Sequence, residues 1–114
     1  MHPRELMTEI KGIMAFLITP FDANSWRRPD EEGIRGNVRF FSEKRVNVLV
    51  PCGGLGEITQ LTLDDHKMAI KAVVEESSRS LVVPGVGPAT KLGITVAKYA
   101  ETVGADGVLV FPPP

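Results

Sequence analysis

Val48-Leu49-Val50-Pro51-Cys52-Gly53-Gly54-Leu55-Gly56-Glu57 is a short apolar run that breaks into glycines and then a carboxylate. Val and Leu in unbroken succession suit a strand buried on both faces, as in a parallel sheet. Glycines carry no Cβ, so backbone amides after the strand can come within hydrogen-bonding reach of an anionic group. The stretch reads as a strand feeding a ligand-binding loop.

Further apolar runs at 13–18, 81–83 and 108–111 share that character and are bounded by Gly or Pro. Segments with helical spacing lie between them. Asp30 is an N-cap candidate ahead of Glu31 and Glu32, and Ile34, Val38 and Phe41 follow at i, i+4 and i+7. Thr62 and Asp65 have capping-box spacing, and Met68, Ala69, Ala72 and Val73 supply a core face before Ser77-Ser78 ends that helix. A third helix is predicted from about Thr90 to Val103, with Val96, Ala100 and Val103 on one side and Gly104 as its C-terminal cap.

Strands thus alternate with helices, and the second and third strands each begin about 34 residues after the one before, the length of a βαβ unit. The pattern predicts a parallel α/β protein. Right-handed crossovers place Thr19-Pro20-Phe21, residues 53–57 and Gly85-Val86-Gly87 on one face, at the carboxyl ends of the strands. Gly104-Ala105-Asp106-Gly107 falls at the opposite end, where glycines and an acid serve stability.

Composition narrows the function classes. A chain of 114 residues, 43% hydrophobic and 24% charged, fits one globular domain. A net charge of -1 and a pI near 6.1 give no basic field for a polyanion, which argues against nucleic acid or an acidic membrane as partner. The apolar runs are too short to span a bilayer, residues 1–11 mix acid and base unlike a signal or transit peptide, and the single cysteine forms no intrachain disulfide. A cytoplasmic protein is expected. Cys52 has no adjacent histidine and reads as packing. His2, in a terminus expected to be mobile, and His66, on the polar first turns of the second helix, lack a second ligand at metal spacing, so no metal is expected. Residues 85–90 lack the third glycine of a dinucleotide fingerprint and carry Pro88 in the turn, so no nucleotide cofactor is expected either.

The Gly12-to-Phe21 segment ending in Thr-Pro-Phe, the Gly53-Gly54-Leu55-Gly56-Glu57 turn, the Thr62-Leu63-Asp64-Asp65 helix start, Val83-Pro84-Gly85-Val86-Gly87 and Gly104-Ala105-Asp106-Gly107-Val108 stand in one order and spacing. Together they resemble the amino-terminal half of the dihydrodipicolinate synthase and N-acetylneuraminate lyase superfamily. The resemblance implies a (β/α)₈ TIM barrel, of which residues 12–114 would hold the first four strands as a parallel half-barrel, with 1–11 as an N-terminal segment. It also implies a lysine Schiff base to pyruvate or a related 2-oxo acid, used for aldol cleavage, condensation or dehydration.

In that family the glycine turn is commonly Gly-Thr-Thr-Gly-Glu, its threonines holding the 2-oxo acid carboxylate and helping a proton relay. Gly54 and Leu55 occupy those positions here, and neither carries a hydroxyl. The amides of Gly54, Leu55 and Gly56 remain as carboxylate-binding candidates, joined by the Thr19 hydroxyl, while Glu57 reads as a brace accepting backbone hydrogen bonds rather than as a general base. A Gly-Gly form of the turn looks like the branch that dehydrates sugar acids, such as 5-dehydro-4-deoxyglucarate dehydratase.

The family's catalytic tyrosine and Schiff-base lysine correspond to positions past Pro114. Tyr99 falls inside the third helix; Lys44, Lys67, Lys71, Lys91 and Lys98 fall on helical segments, and Lys11 precedes the first strand. No catalytic residue is therefore assigned within the chain. Trp26-Arg27-Arg28, in the first βα loop, reads as a solvated loop or subunit contact ahead of a carboxylate clamp. A (β/α)₈ barrel needs about 250 residues. Two readings stay open: part of a barrel lyase or dehydratase for a small 2-oxo acid or sugar acid, inactive as this stretch alone, or a non-catalytic half-barrel with an anion site. The open sheet edges and apolar inner face of a half-barrel predict self-association, hence a homo-oligomer.

Overall fold

The computed structural model describes residues 1–24 and 27–112. Strands β1 (Met14–Phe16), β2 (Val48–Val50) and β3 (Leu81–Val82) form a parallel sheet in that order, with Met14, Val48 and Leu81 in one register and Phe16 beside Val50. β4 (Gly85–Val86) pairs in parallel with β5 (Leu109–Val110). Gly85-Val86, expected as loop, is thus strand. β3 and β4 are two pieces of one extended segment divided at Pro84, which has no N–H to donate. The ladder continues on both sides of the break: Val83 and Gly85 donate to Leu49 and Pro51, and Leu109 and Phe111 donate to Pro84 and Val86.

The crossover helices α2 (Glu31–Glu43), α3 (Leu63–Glu76) and α4 (Thr90–Val103) begin where local chemistry places them. The Asp30 carboxylate accepts from the Gly33 amide, Thr62 and Asp65 exchange both bonds of a capping box, and α4 ends at Gly104 with φ 101°. Each end satisfies backbone groups that the helix leaves open. Arg35 ties α2 to α3 by bonding Glu75 and Glu76 as well as Glu31 on its own helix.

The outer face of the sheet packs on these helices through Leu17, Leu49 and Val82 against Ile34, Val38, Ile70, Val73, Val96 and Ala100. Side chains alternate along a strand, so the intervening residues face the other way. Val48, Val50 and Val83 form a second cluster there with Leu81 and Leu109, and Met14, Phe16 and Ile18 lie exposed beside it.

The amino-terminal segment differs from expectation. Residues Pro3–Glu9 form helix α1, the His2 imidazole caps it by accepting from the Arg4 amide at 3.1 Å, and Leu6 rests on Gly107. Gly107 belongs to the αβ turn, so α1 lies at the amino-terminal end of the sheet. In that turn Asp106 exchanges two bonds with Val82, its carboxylate accepting from the Val82 amide and its amide donating to the Val82 carbonyl. Among the described residues no helix is long and apolar enough to cross a membrane.

Candidate functional site

The glycine loop leaves β2 through Cys52, whose φ of 58° turns the chain sharply, and closes at Glu57, also at φ 58°, ahead of a 3₁₀ turn at Ile58–Gln60. Two internal bonds hold the turn: the Glu57 amide donates to the Gly54 carbonyl and the Ile58 amide to the Gly53 carbonyl, at 3.1 and 3.2 Å. A Cβ on Gly56 would stand 3.0 Å from both the Cys52 nitrogen and the Leu17 carbonyl oxygen, so glycine eases the close backbone approach there. A Cβ on Gly54 would meet nothing within 4 Å.

The Thr19 hydroxyl, buried at the end of the β1 segment, donates to the Gly56 carbonyl at 2.7 Å. Its proton is committed to the loop, so Thr19 fixes the turn. Glu57 does not act as the expected brace: its carboxylate makes no hydrogen bond among the described residues and is exposed to solvent, and only its backbone joins the turn. Among the described residues the amides of Gly54, Leu55 and Gly56 donate to no protein acceptor, although Gly56 is buried and Leu55 is 60% exposed. Adjacent unpaired N–H groups at the carboxyl end of a parallel sheet suit a carboxylate.

Gly53, at the base of the loop, is approached by two aromatic rings and by Val50. A Cβ there would be 3.7 Å from Phe16 Cδ1 and 4.0 Å from Phe111 Cζ. The sequence reading passed over both rings. Alternation along 13–18 was the available signal for Phe16, since Leu17 goes to the helices and Phe16 to the opposite face.

His66 is buried, contrary to the polar setting expected for it. Its Nε2 lies 2.8 Å from the Gly85 carbonyl oxygen, and burial outweighs that bond in pulling its pKa below 6.5. With Ala69, Ile70 and Val73 it follows helical i, i+3, i+4, i+7 spacing, a signal legible in advance. His66 lines a cavity of about 290 Å³ with Thr59, Thr62, Pro88 and Leu92, on the helix side of the sheet and away from the aromatic pair. Burial also pushes the Cys52 thiol up to about 12, which leaves it a packed thiol and no nucleophile.

Among the described residues no lysine is on a strand: Lys44 lies over the Phe40 ring and Lys67 over Tyr99; Lys71, Lys91 and Lys98 are on helices, and Lys11 precedes β1. Among the described residues no three His, Cys, Asp or Glu side chains converge to hold a metal ion. Phe21 and Pro29 bridge the base of the first βα loop, and the Asp22 amide donates to the Arg28 carbonyl; Trp26 lies outside the described residues.

Comparison with known proteins gives these features a family context. The sequence profile of the Dihydrodipicolinate synthetase family matches residues 9–113. A 4-hydroxy-tetrahydrodipicolinate synthase of Methanoculleus marisnigri is 35% identical over 105 residues, covering 90% of this chain and 36% of that protein. A "Probable 5-dehydro-4-deoxyglucarate dehydratase" of Xanthomonas campestris pv. campestris is 36% identical over 103 residues, covering 90% of this chain and 33% of that one. The crystal structure of dihydrodipicolinate synthase from Oceanobacillus iheyensis superposes with a TM-score of 0.87 at 32% identity, over 96% of this chain and 36% of that one. The chain thus spans about a third of the length of these relatives. Its parallel strands and crossover helices correspond to the amino-terminal part of their TIM barrel, the first four strands.

Proposed function

This chain belongs to the dihydrodipicolinate synthetase family, and from that membership we propose that the protein carrying it is a carbon–carbon or carbon–oxygen lyase acting on a 2-oxo acid or a sugar acid. The observation that carries the reading is the row of amides at Gly54, Leu55 and Gly56, unpaired among the described residues and held at the carboxyl ends of the strands by the Thr19 bond to Gly56. In this reading the amides receive the substrate carboxylate and Thr19 keeps their spacing. Fixed backbone dipoles need no reorganisation when an anion arrives, which suits both binding and charge stabilisation.

The loop has no side-chain acid or base apart from the exposed Glu57, and neither Gly54 nor Leu55 offers a hydroxyl. Proton transfer and Schiff-base formation therefore fall to groups outside these strands, consistent with the placement of Lys67 and Lys98 on helices, the first half-buried over Tyr99 and the second exposed. The lysine positions also support a second reading, a non-catalytic half-barrel that binds small carboxylates through the same loop. A soluble cytoplasmic setting and a homo-oligomer accompany the favoured reading.

The test is amide-resolved. In ¹⁵N-labelled protein, pyruvate should shift the Gly54, Leu55 and Gly56 resonances while equimolar chloride leaves them in place. At the protein's natural length, borohydride with pyruvate should then leave a secondary-amine adduct, heavier by pyruvic acid less the water lost on imine formation plus two hydrogens. Unmoved loop amides reject both readings; moved amides without covalent trapping favour the binding module.

A further inference from the structure

Helix α2 closes with the Val46 amide donating to the Phe41 carbonyl and the Arg45 amide to the Ser42 carbonyl, at 3.3 and 3.2 Å, and with Arg45 left-handed at φ 58°. Glycine is the usual residue at that position. Gly104 holds it at the end of α4, where Ala105 donates to Ala100 and Gly104 to Glu101 in the same pattern. An arginine therefore stands where the backbone favours a residue without a side chain. The Ser80 hydroxyl donates to the carbonyl of Val46, next to Arg45, and so draws the turn after α3, with Arg79 in it, alongside the turn after α2.

Ser42, Arg45 and Arg79 line both of two cavities at this end of the sheet, of about 590 and 250 Å³. Arg39 and Glu76, paired at 3.3 Å, also line the larger one, as does Glu43. Among the described residues the guanidinium groups of Arg45 and Arg79 make no hydrogen bond or ion pair. The Ser42 hydroxyl is buried and has no partner there either. Buried hydroxyls are nearly always paired, so an unpaired one beside two free cations marks a place for an acceptor. This chain bounds the groove on both flanks. Arg35 ties α2 to α3 beside the strands β1, β2 and β3, whereas further strands of a barrel would join at β1 and β5.

We propose that Ser42, Arg45 and Arg79 form a binding site for the phosphate group of a small molecule, at the end of the sheet opposite the loop amides. A phosphate dianion offers enough acceptor oxygens for two guanidinium forks and a hydroxyl at once, whereas a carboxylate is filled by one fork. A cavity of about 590 Å³ is the size of a small-molecule site. The net charge of -1 supplies no extended basic field, which separates this site from one for a polyanionic chain. Glu43 is the opposing charge in the larger cavity and Glu9 in the smaller.

The test is isothermal titration calorimetry of the protein at its natural length and at fixed ionic strength, with inorganic phosphate and glycerol 3-phosphate as probes and potassium chloride as the control. Both phosphates should bind, and chloride should give only heat of dilution. Tighter binding of the ester identifies a phosphorylated metabolite as the occupant; equal or tighter binding of inorganic phosphate identifies the free ion. Arg79→Gln should weaken binding about tenfold, the effect of losing a charge-assisted hydrogen bond. Arg45→Gly should weaken it as much while keeping or raising the melting temperature, because glycine suits the left-handed turn. Ser42→Ala should cost about fivefold. Glu43→Gln should tighten binding by removing the opposing charge. Absence of binding by either phosphate to the unsubstituted protein overturns the site, as does an equal response to chloride. Undiminished binding in Arg45→Gly or in Arg79→Gln overturns it too, and assigns the anion to another place such as the loop amides.

Discussion

Thr19 donates its hydroxyl proton to the carbonyl of Gly56, 37 residues later, across 2.7 Å in a buried setting. The bond joins the end of the first strand segment to the turn after the second. It holds the Gly56 peptide in place, so the shape of the loop depends on a residue outside it.

Thr19→Val removes the donor and leaves the Gly56 carbonyl buried without a partner. The expected cost is about 1–3 kcal/mol of stability, read as a lower urea midpoint, together with weaker pyruvate shifts at Gly54 to Gly56. Thr19→Ser keeps the hydroxyl and should recover most of both effects. Equal stability of the valine variant and the parent would show that the bond contributes nothing net.

Alanine at the two ends of the cradle should give opposite results. Gly56→Ala presses a methyl against backbone atoms of Cys52 and Leu17 and should destabilise by about 1–3 kcal/mol. Gly54→Ala enters open space and should stay within about 0.5 kcal/mol of the parent. Denaturant melts of both variants check this; a larger loss at position 54 than at 56 contradicts the packing described.

His66 gives stability a pH dependence with a definite sign. Its folded-state pKa lies below 6.5, so the unfolded chain takes up the proton first as pH falls. Stability should be full above about pH 6.5 and decline below it toward the folded-state pKa. Melting temperatures between pH 7.5 and 5.5 should drop in the parent and flatten in His66→Gln, which retains an N–H donor for Gly85. The lowered pKa of Glu75, set by its bond from Arg35, acts in a separate, more acidic window below 4.5.

Cys52 should resist alkylation. With its thiol pushed up to about 12 and its side chain buried, iodoacetamide at pH 8 should leave the native protein unlabelled and label it fully in urea. Rapid native labelling, followed by mass spectrometry, would show that the strand end opens far more often than its packing suggests.

Helix ends and strand runs were legible because their causes are local. The Thr62 and Asp65 capping pair, the Gly104 cap and the Val48 to Val50 run each act within a few residues, and each stands where its spacing placed it. The glycine loop after β2 was legible for the same reason. What could not be read was the closure between distant segments: the Thr19 bond to Gly56, the His66 bond to Gly85 and the approach of Phe16 and Phe111 to Gly53. The role expected of Glu57 failed on this point, since proximity in sequence to the glycines did not bring its carboxylate to them. The division of the third strand at Pro84 was visible as a proline, but its continued pairing on both flanks depends on neighbours at Leu49, Pro51 and Leu109.

Helix α1 rests on Gly107 through Leu6, at the end of the sheet opposite the cradle. A tether attached at Met1 would therefore anchor the molecule by its base and leave the Gly54 to Gly56 rim pointing into the flow. Sensor surfaces coupled through the amino terminus should preserve access for small acids, whereas random coupling through Lys67 or Lys98 would present the molecule side-on.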